Sequence, residues 1–71
     1  MNYDYRKLKG KIKEKFGTQE AFAKAIGMGL STINLKLNNN AEWSQEEMKA
    51  TMIALNEPIT NIPAYFFIHL V

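Results

Sequence analysis

The chain has 71 residues, no cysteine and a formal net charge of +2. This length allows one domain at most, spanning residues 1–71, and the lack of cysteine excludes a disulfide framework and a thiolate metal site. The longest apolar run, residues 64–68, is too short to cross a bilayer. No apolar signal segment opens the chain. We therefore expect a cytoplasmic protein.

The charge is divided unevenly along the chain. Residues 1–40 contain eight Lys and Arg against three acidic residues, a net +5, whereas residues 41–71 contain one Lys against four acids, a net −3. This asymmetry favours an anionic partner on one side of the protein only.

A first helix is predicted from Asn2 or Asp4 to about Lys15, ended by Gly17. Its apolar stripe comprises Tyr5, Leu8, Ile12 and Phe16. Six basic residues between positions 6 and 15 cover its other faces. They are either a solvated surface or in part phosphate contacts, in which case Arg6 and Lys7 are the candidates.

Residues 18–37 are predicted to form two short helices joined by a tight turn. Thr18 is a favourable N-cap for the first, and Gly27 suits the left-handed cap that ends it. The second begins at Gly29 and places Ile33 and Leu37 on its inner face. Three asparagines follow at positions 38–40. They are either a plain helix exit or donors to a nucleic-acid backbone.

A fourth helix is predicted from Ser44, which forms a capping box with Glu47. Trp43 precedes the cap, where it either packs on Met48 as a hydrophobic staple or stacks on a partner. The helix ends near residues 56–58, and a fifth short helix begins near Thr60 or Asn61. The last residues, 67–71, are predominantly apolar and form a tail.

The stretch 18–37 resembles the helix-turn-helix of phage repressors and Cro proteins. The residues that carry the resemblance are Gln19, Ala23, Gly27 and Ile33, spaced four, four and six apart. The resemblance implies an all-α, lambda-repressor-like bundle of about five short helices with a short apolar C-terminal tail. It also implies a sequence-specific regulator of transcription that binds double-stranded DNA through the helix at about 29–37.

The resemblance assigns roles to eight residues. Gln19 is expected to bind a phosphate and brace the recognition helix, and Leu30, Ser31 and Asn34 are expected to reach base edges in the major groove. Thr32, Lys36, Asn38 and Asn40 complete the predicted DNA-binding set, with Lys36 and the two asparagines directed at phosphates.

The partners follow from the same resemblance. One recognition helix reads only a few base pairs, so we expect a homodimer on a DNA operator. The tail, residues 67–71, is either the dimer interface or part of the monomer's core. The alternative function is a protein-interaction module on the same fold, such as an antirepressor or an antitoxin-like subunit.

The sequence contains no pattern typical of an enzyme. His69 is the only histidine and has no acidic neighbour in sequence, so neither a metal nor a catalytic role is expected. Ser31 has no base partner for nucleophilic chemistry. We expect no cofactor and no small-molecule substrate.

Overall fold

The computed structural model describes residues 2–70; Met1 and Val71, the last residue of the predicted tail, lie outside the described residues. The helices are α1 (Arg6–Phe16), α2 (Gln19–Ile26), α3 (Leu30–Leu37), α4 (Gln45–Ala54) and α5 (Ile62–Phe66), with a turn of 3-10 helix at Ile59–Asn61 before α5. The predicted all-α fold of about five short helices is confirmed.

Local capping explains where α2 and α4 begin. The Thr18 hydroxyl oxygen accepts a hydrogen bond from the Ala21 amide at 3.1 Å. Before α4, the Ser44 hydroxyl accepts from the Glu47 amide at 3.1 Å, and the Glu47 carboxylate accepts from the Ser44 amide at 2.8 Å. Both predicted caps are therefore confirmed, and each satisfies amide groups that a helix N-terminus otherwise leaves without partners.

The first helix begins later than predicted, at Arg6 rather than near Asn2 or Asp4. Residues 2–4 are extended because their backbone pairs with the C-terminal tail. Asp4 still assists the start of the helix, since its carboxylate accepts from the Arg6 amide at 3.0 Å. Tertiary pairing thus outweighed the local capping preference of this segment.

The core lies at the centre of the helices. Its buried apolar side chains are Tyr5, Leu8, Ile12, Phe22, Ala23, Ile33, Leu37, Trp43, Met52, Leu55, Tyr65 and Phe66. The helix α2 contacts α1, α3 and α4, and α5 contacts α1 and α4. Because α3 packs mainly against α2, the opposite side of α3 remains exposed.

The two chain ends form a short antiparallel pair that we call the terminal ribbon, residues 2–4 and 68–70. Backbone hydrogen bonds of 2.7 and 3.2 Å join the two segments, with Tyr3 opposite His69. Three apolar side chains of the tail remain exposed: Phe67 by 43%, Ile68 by 47% and Leu70 by 54%. The alternative that these three residues close the monomer's core is therefore wrong, because their side chains remain largely exposed.

Candidate functional site

The turn between α2 and α3 sets the direction of α3. Gly27 has a left-handed φ of 72°, a conformation that costs a residue with a Cβ atom about 1–2 kcal/mol. The Gly27 amide donates to the Lys24 carbonyl at 3.2 Å, and the Met28 amide donates to the Ala23 carbonyl at 2.9 Å. These bonds close the end of α2, and Gly29 then restarts the chain as the N-cap of α3.

Four residues form what we call the outer face of α3: Leu30, Ser31, Asn34 and Leu35, all exposed. Leu30 is 38% exposed and Leu35 is 49% exposed. At 100° per residue, the two leucines lie at opposite edges of this face, with Ser31 and Asn34 between them. The outer face therefore combines apolar edges with a short polar centre and contains no charge.

Lys36 does not lie on that face, and the prediction that it reaches a phosphate is wrong for this structure. Its side chain turns inward and is only 11% exposed. Its ammonium group donates to the Glu42 carbonyl at 2.6 Å and to the Glu47 carboxylate at 2.8 Å. Lys36 thereby ties α3 to the start of α4, because its long stem covers apolar surface while its charge finds internal partners.

This contact also changes the chemistry of Glu47. Burial raises the pKa of the Glu47 carboxyl, but hydrogen bonds from Lys36 and from the Ser44 backbone outweigh that effect, and the pKa lies below its usual value. The carboxylate is the single group that both caps α4 and pairs with Lys36.

The other predicted contact residues are divided between exposed and half-buried positions. Gln19 and Thr32 are half-buried. Asn38 and Asn40 are exposed, and the Asn38 amide donates to the Asn34 carbonyl at 2.8 Å. Asn38 therefore caps the C-terminal end of α3, which agrees with a plain helix exit.

Asn39, between them, has a role that the sequence did not predict. Its side-chain amide bonds both backbone groups of Tyr3, accepting from the Tyr3 amide at 2.8 Å and donating to the Tyr3 carbonyl at 2.9 Å. Its φ of 63° is left-handed. Asn tolerates a left-handed backbone, and this preference was the signal that the sequence offered. The sequence did not show the bonding partner, because Tyr3 lies 36 residues away. The clamp joins the terminal ribbon to the end of α3.

The basic residues of α1 are only partly available to an anion. Arg6 binds Asp4 at 2.6 Å, and the hydrogen bonds from the Arg6 side chain and backbone lower the pKa of Asp4 to about 2. The Lys7 ammonium lies 5.1 Å from the centre of the Tyr65 ring. Lys11 lies 3.6 Å from carboxylate oxygens of two glutamates. These internal contacts account for part of the basic charge of α1, so that charge does not by itself require a nucleic-acid partner.

Among residues 2–70, no group of three or more His, Asp or Glu side chains is arranged to hold a metal ion. Over the same range, no helix combines the length and the apolar character needed to cross a membrane.

The fold and the α2–turn–α3 unit define a small all-α protein of the helix-turn-helix kind. The chain belongs to the family described as "Protein of unknown function (DUF739)", whose model matches residues 1–69. Comparison with curated proteins gives no match.

One solved structure supplies a more specific likeness. The chain is similar to the modulator of repression (MOR) of the temperate bacteriophage TP901-1 from Lactococcus lactis, known from a solution structure. The two are 45% identical, the match covers 94% of this chain and 90% of that chain, and the TM-score is 0.82. That relative is described by a regulatory role rather than an enzymatic one.

Proposed function

We propose that this chain is a phage regulatory protein that modulates repression by binding a protein partner, and that the partner is a DNA-binding repressor. The similarity to a phage modulator of repression supports the regulatory part of this proposal. It favours the protein-interaction alternative of the sequence analysis over a Cro-like or repressor protein that reads DNA by itself.

The observation that carries the proposal is the composition of the outer face of α3. Leu30 and Leu35 are 38% and 49% exposed there. Covering the exposed part of such a side chain with a partner is favourable by about 1 kcal/mol, at roughly 25 cal/mol per Å² of apolar surface. Two leucines that flank a hydrogen-bonding centre therefore suit a protein surface.

The same face is less suited to DNA. Affinity for DNA depends strongly on Lys and Arg side chains that neutralise phosphates, and the one cation of α3, Lys36, is bound internally. On DNA, the Leu35 side chain would remain exposed to solvent or contact the polar edge of a groove, and neither favours binding. A protein partner uses both leucines and needs no cation from α3.

Calorimetric titration of the chain with the repressor encoded by the same phage genome tests the proposal. We expect Leu35→Ser to weaken binding about fivefold, which corresponds to about 1 kcal/mol. Ile53→Ser is the matched control, because Ile53 is a 72% exposed aliphatic residue on α4 rather than α3. Equal effects of the two variants, or no binding by the unchanged chain, would contradict the proposal.

Direct DNA binding is the second candidate, and one arrangement favours it. Gln19, the first residue of α2, lines a depression together with Lys9 and Lys13. Ser31 and Asn34 are exposed on α3, which packs against α2. Under this function the depression would hold a backbone phosphate, and the Asn34 amide would pair with adenine in the major groove. Under this function Asn34→Ala lowers operator affinity by about 1–3 kcal/mol.

A homodimer on DNA belongs to this second candidate. The exposed tail residues Phe67, Ile68 and Leu70 are its proposed interface, and truncation after Phe66 is expected to abolish cooperative operator binding. A gel shift at increasing salt distinguishes the two functions. Binding of DNA by the chain alone that weakens steeply with salt supports the second candidate, whereas no shift without the repressor supports the first.

A further inference from the structure

A cleft of about 500 Å³ opens where the chain leaves α3 and passes the terminal ribbon. Its aromatic lining residues are Tyr3, Tyr5, Trp43, Phe66 and Phe67. The Trp43 and Phe66 rings meet edge to face with centroids 5.1 Å apart, and Tyr3 meets Phe67 in the same manner at 5.8 Å. The Asn39 clamp holds Tyr3 in place on this wall. Tyr5, Trp43 and Phe66 are at most 7% exposed, whereas Phe67 is 43% exposed and Tyr3 is half-buried. The ring surface open to a ligand therefore comes from Tyr3 and Phe67.

The charge of the cleft has one sign. Among its described lining residues, Glu42 is the only one with a charged side chain, and none is Lys or Arg. Glu42 is exposed, and its carboxylate has no ion pair within residues 2–70. Its backbone carbonyl is held by the Lys36 ammonium at 2.6 Å, which fixes the loop that presents it. A cleft that is lined by a carboxylate and aromatic rings, with no Lys or Arg among its described residues, disfavours a phosphate and attracts a cation.

Trp43 lines the cleft and has a polar atom that is unpaired within residues 2–70. The residue is only 7% exposed, and its indole N–H is buried without a hydrogen-bond acceptor among the described residues. Buried donors are nearly always paired in folded proteins. Because this nitrogen has less than 1 Å² of accessible surface, an acceptor of a partner would reach it only after the indole ring turns toward the cleft. A polypeptide carries such acceptors in its backbone carbonyls, whereas a free metal ion carries none.

We infer that this cleft receives an arginine side chain of the protein partner, with the guanidinium stacked on the Tyr3 and Phe67 rings and paired with the Glu42 carboxylate. This inference rests on the proposed function for the identity of the partner. Arginine fits better than lysine because its planar guanidinium stacks on rings and offers a rigid set of donors to a carboxylate. The cleft is lined by Asn39 and Asn40, which directly follow the C-cap of α3.

The full chain, labelled with ¹⁵N, tests the inference by titration with N-acetyl-arginine amide and with its neutral isostere N-acetyl-citrulline amide. We expect saturable shifts of the Trp43 indole N–H with the arginine compound, and binding about fivefold weaker with the citrulline compound because the cation–π attraction is lost. Glu42→Gln should weaken arginine binding while Glu46→Gln, an exposed glutamate on α4, should not. Equal binding of both compounds, equal binding of N-acetyl-lysine amide, or no effect of Glu42→Gln overturns the inference.

The same variants separate this inference from the proposed function. If Leu35→Ser weakens repressor binding and Glu42→Gln leaves it unchanged, the proposed function stands and the arginine cleft is refuted. If the unchanged chain binds no repressor, the proposed function fails, and the titration with the arginine compound decides the cleft by itself.

Discussion

Replacing Lys36 with methionine removes a charge from the interior and leaves an apolar stem of similar length. The ammonium group donates two hydrogen bonds, at 2.6 Å to the Glu42 carbonyl and at 2.8 Å to the Glu47 carboxylate. Breaking a fully buried ion pair by removing one partner costs about 3–5 kcal/mol. The Glu47 side chain is 26% exposed and keeps its hydrogen bond to the Ser44 amide. Hydration of the carboxylate therefore offsets part of the lost free energy.

We therefore expect Lys36→Met to lower the free energy of unfolding by about 2 kcal/mol. For a domain of this size the thermal midpoint should fall by roughly 10 °C. Lys36→Ala should cost about 1–2 kcal/mol more, because it also removes the buried part of the stem. Circular dichroism at 222 nm followed through heating measures both changes.

Lys49→Met is the matched control, since Lys49 is exposed on α4 and Lys and Met have similar helix propensities. A Lys36→Met variant as stable as the Lys49→Met variant would refute the internal role of Lys36. In a double-mutant cycle with Glu47→Gln, a coupling energy of about 1 kcal/mol is expected if the two side chains act as a pair.

Further predictions concern two backbone positions, Asn39 and Gly27, and the Glu47 carboxylate. In Asn39→Gly the glycine accepts the φ of 63°, but the hydrogen bonds to Tyr3 are lost, so the free energy of unfolding in urea should fall by about 1–2 kcal/mol. Asn39→Ala should lower it further, because Ala does not favour a left-handed backbone. Gly27→Ala, at a φ of 72°, should cost about 1–2 kcal/mol, and an unchanged thermal midpoint would argue against a strained turn. Because folding lowers the pKa of Glu47 from 4.5, its stabilising contribution is full above pH 4.5 and is lost as the pH falls through the folded pKa; this acid dependence should be weaker in Lys36→Met.

Short-range patterns explain why the helices were predictable. The Thr18 cap, the Ser44 capping box and the left-handed Gly27 all act within four residues of the positions they stabilise. Such contacts depend on residue type and spacing, which a sequence displays directly. The inward positions of Ile33 and Leu37 follow from the helical period in the same way.

The start of α1 and the roles of Lys36 and Asn39 depend instead on distant partners. Lys36 pairs with a residue 11 positions later, and Asn39 with one 36 positions earlier. A lysine on a helix that resembles a recognition helix indicates a phosphate contact unless a carboxylate comes within reach. Only the packing of both α3 and α4 against α2 brings the Glu47 carboxylate there.

The sequence by itself therefore determined the number, type and approximate bounds of the helices and the turn that orients α3, because caps and periodicity are local. Tertiary structure decided the chemistry of the surface. It turned the one cation of α3 inward, left Leu30 and Leu35 exposed, and brought Tyr3 and Phe67 into one cleft with Trp43. Which side chains remain exposed depends on which elements pack over them, and this is not encoded in any short stretch of residues.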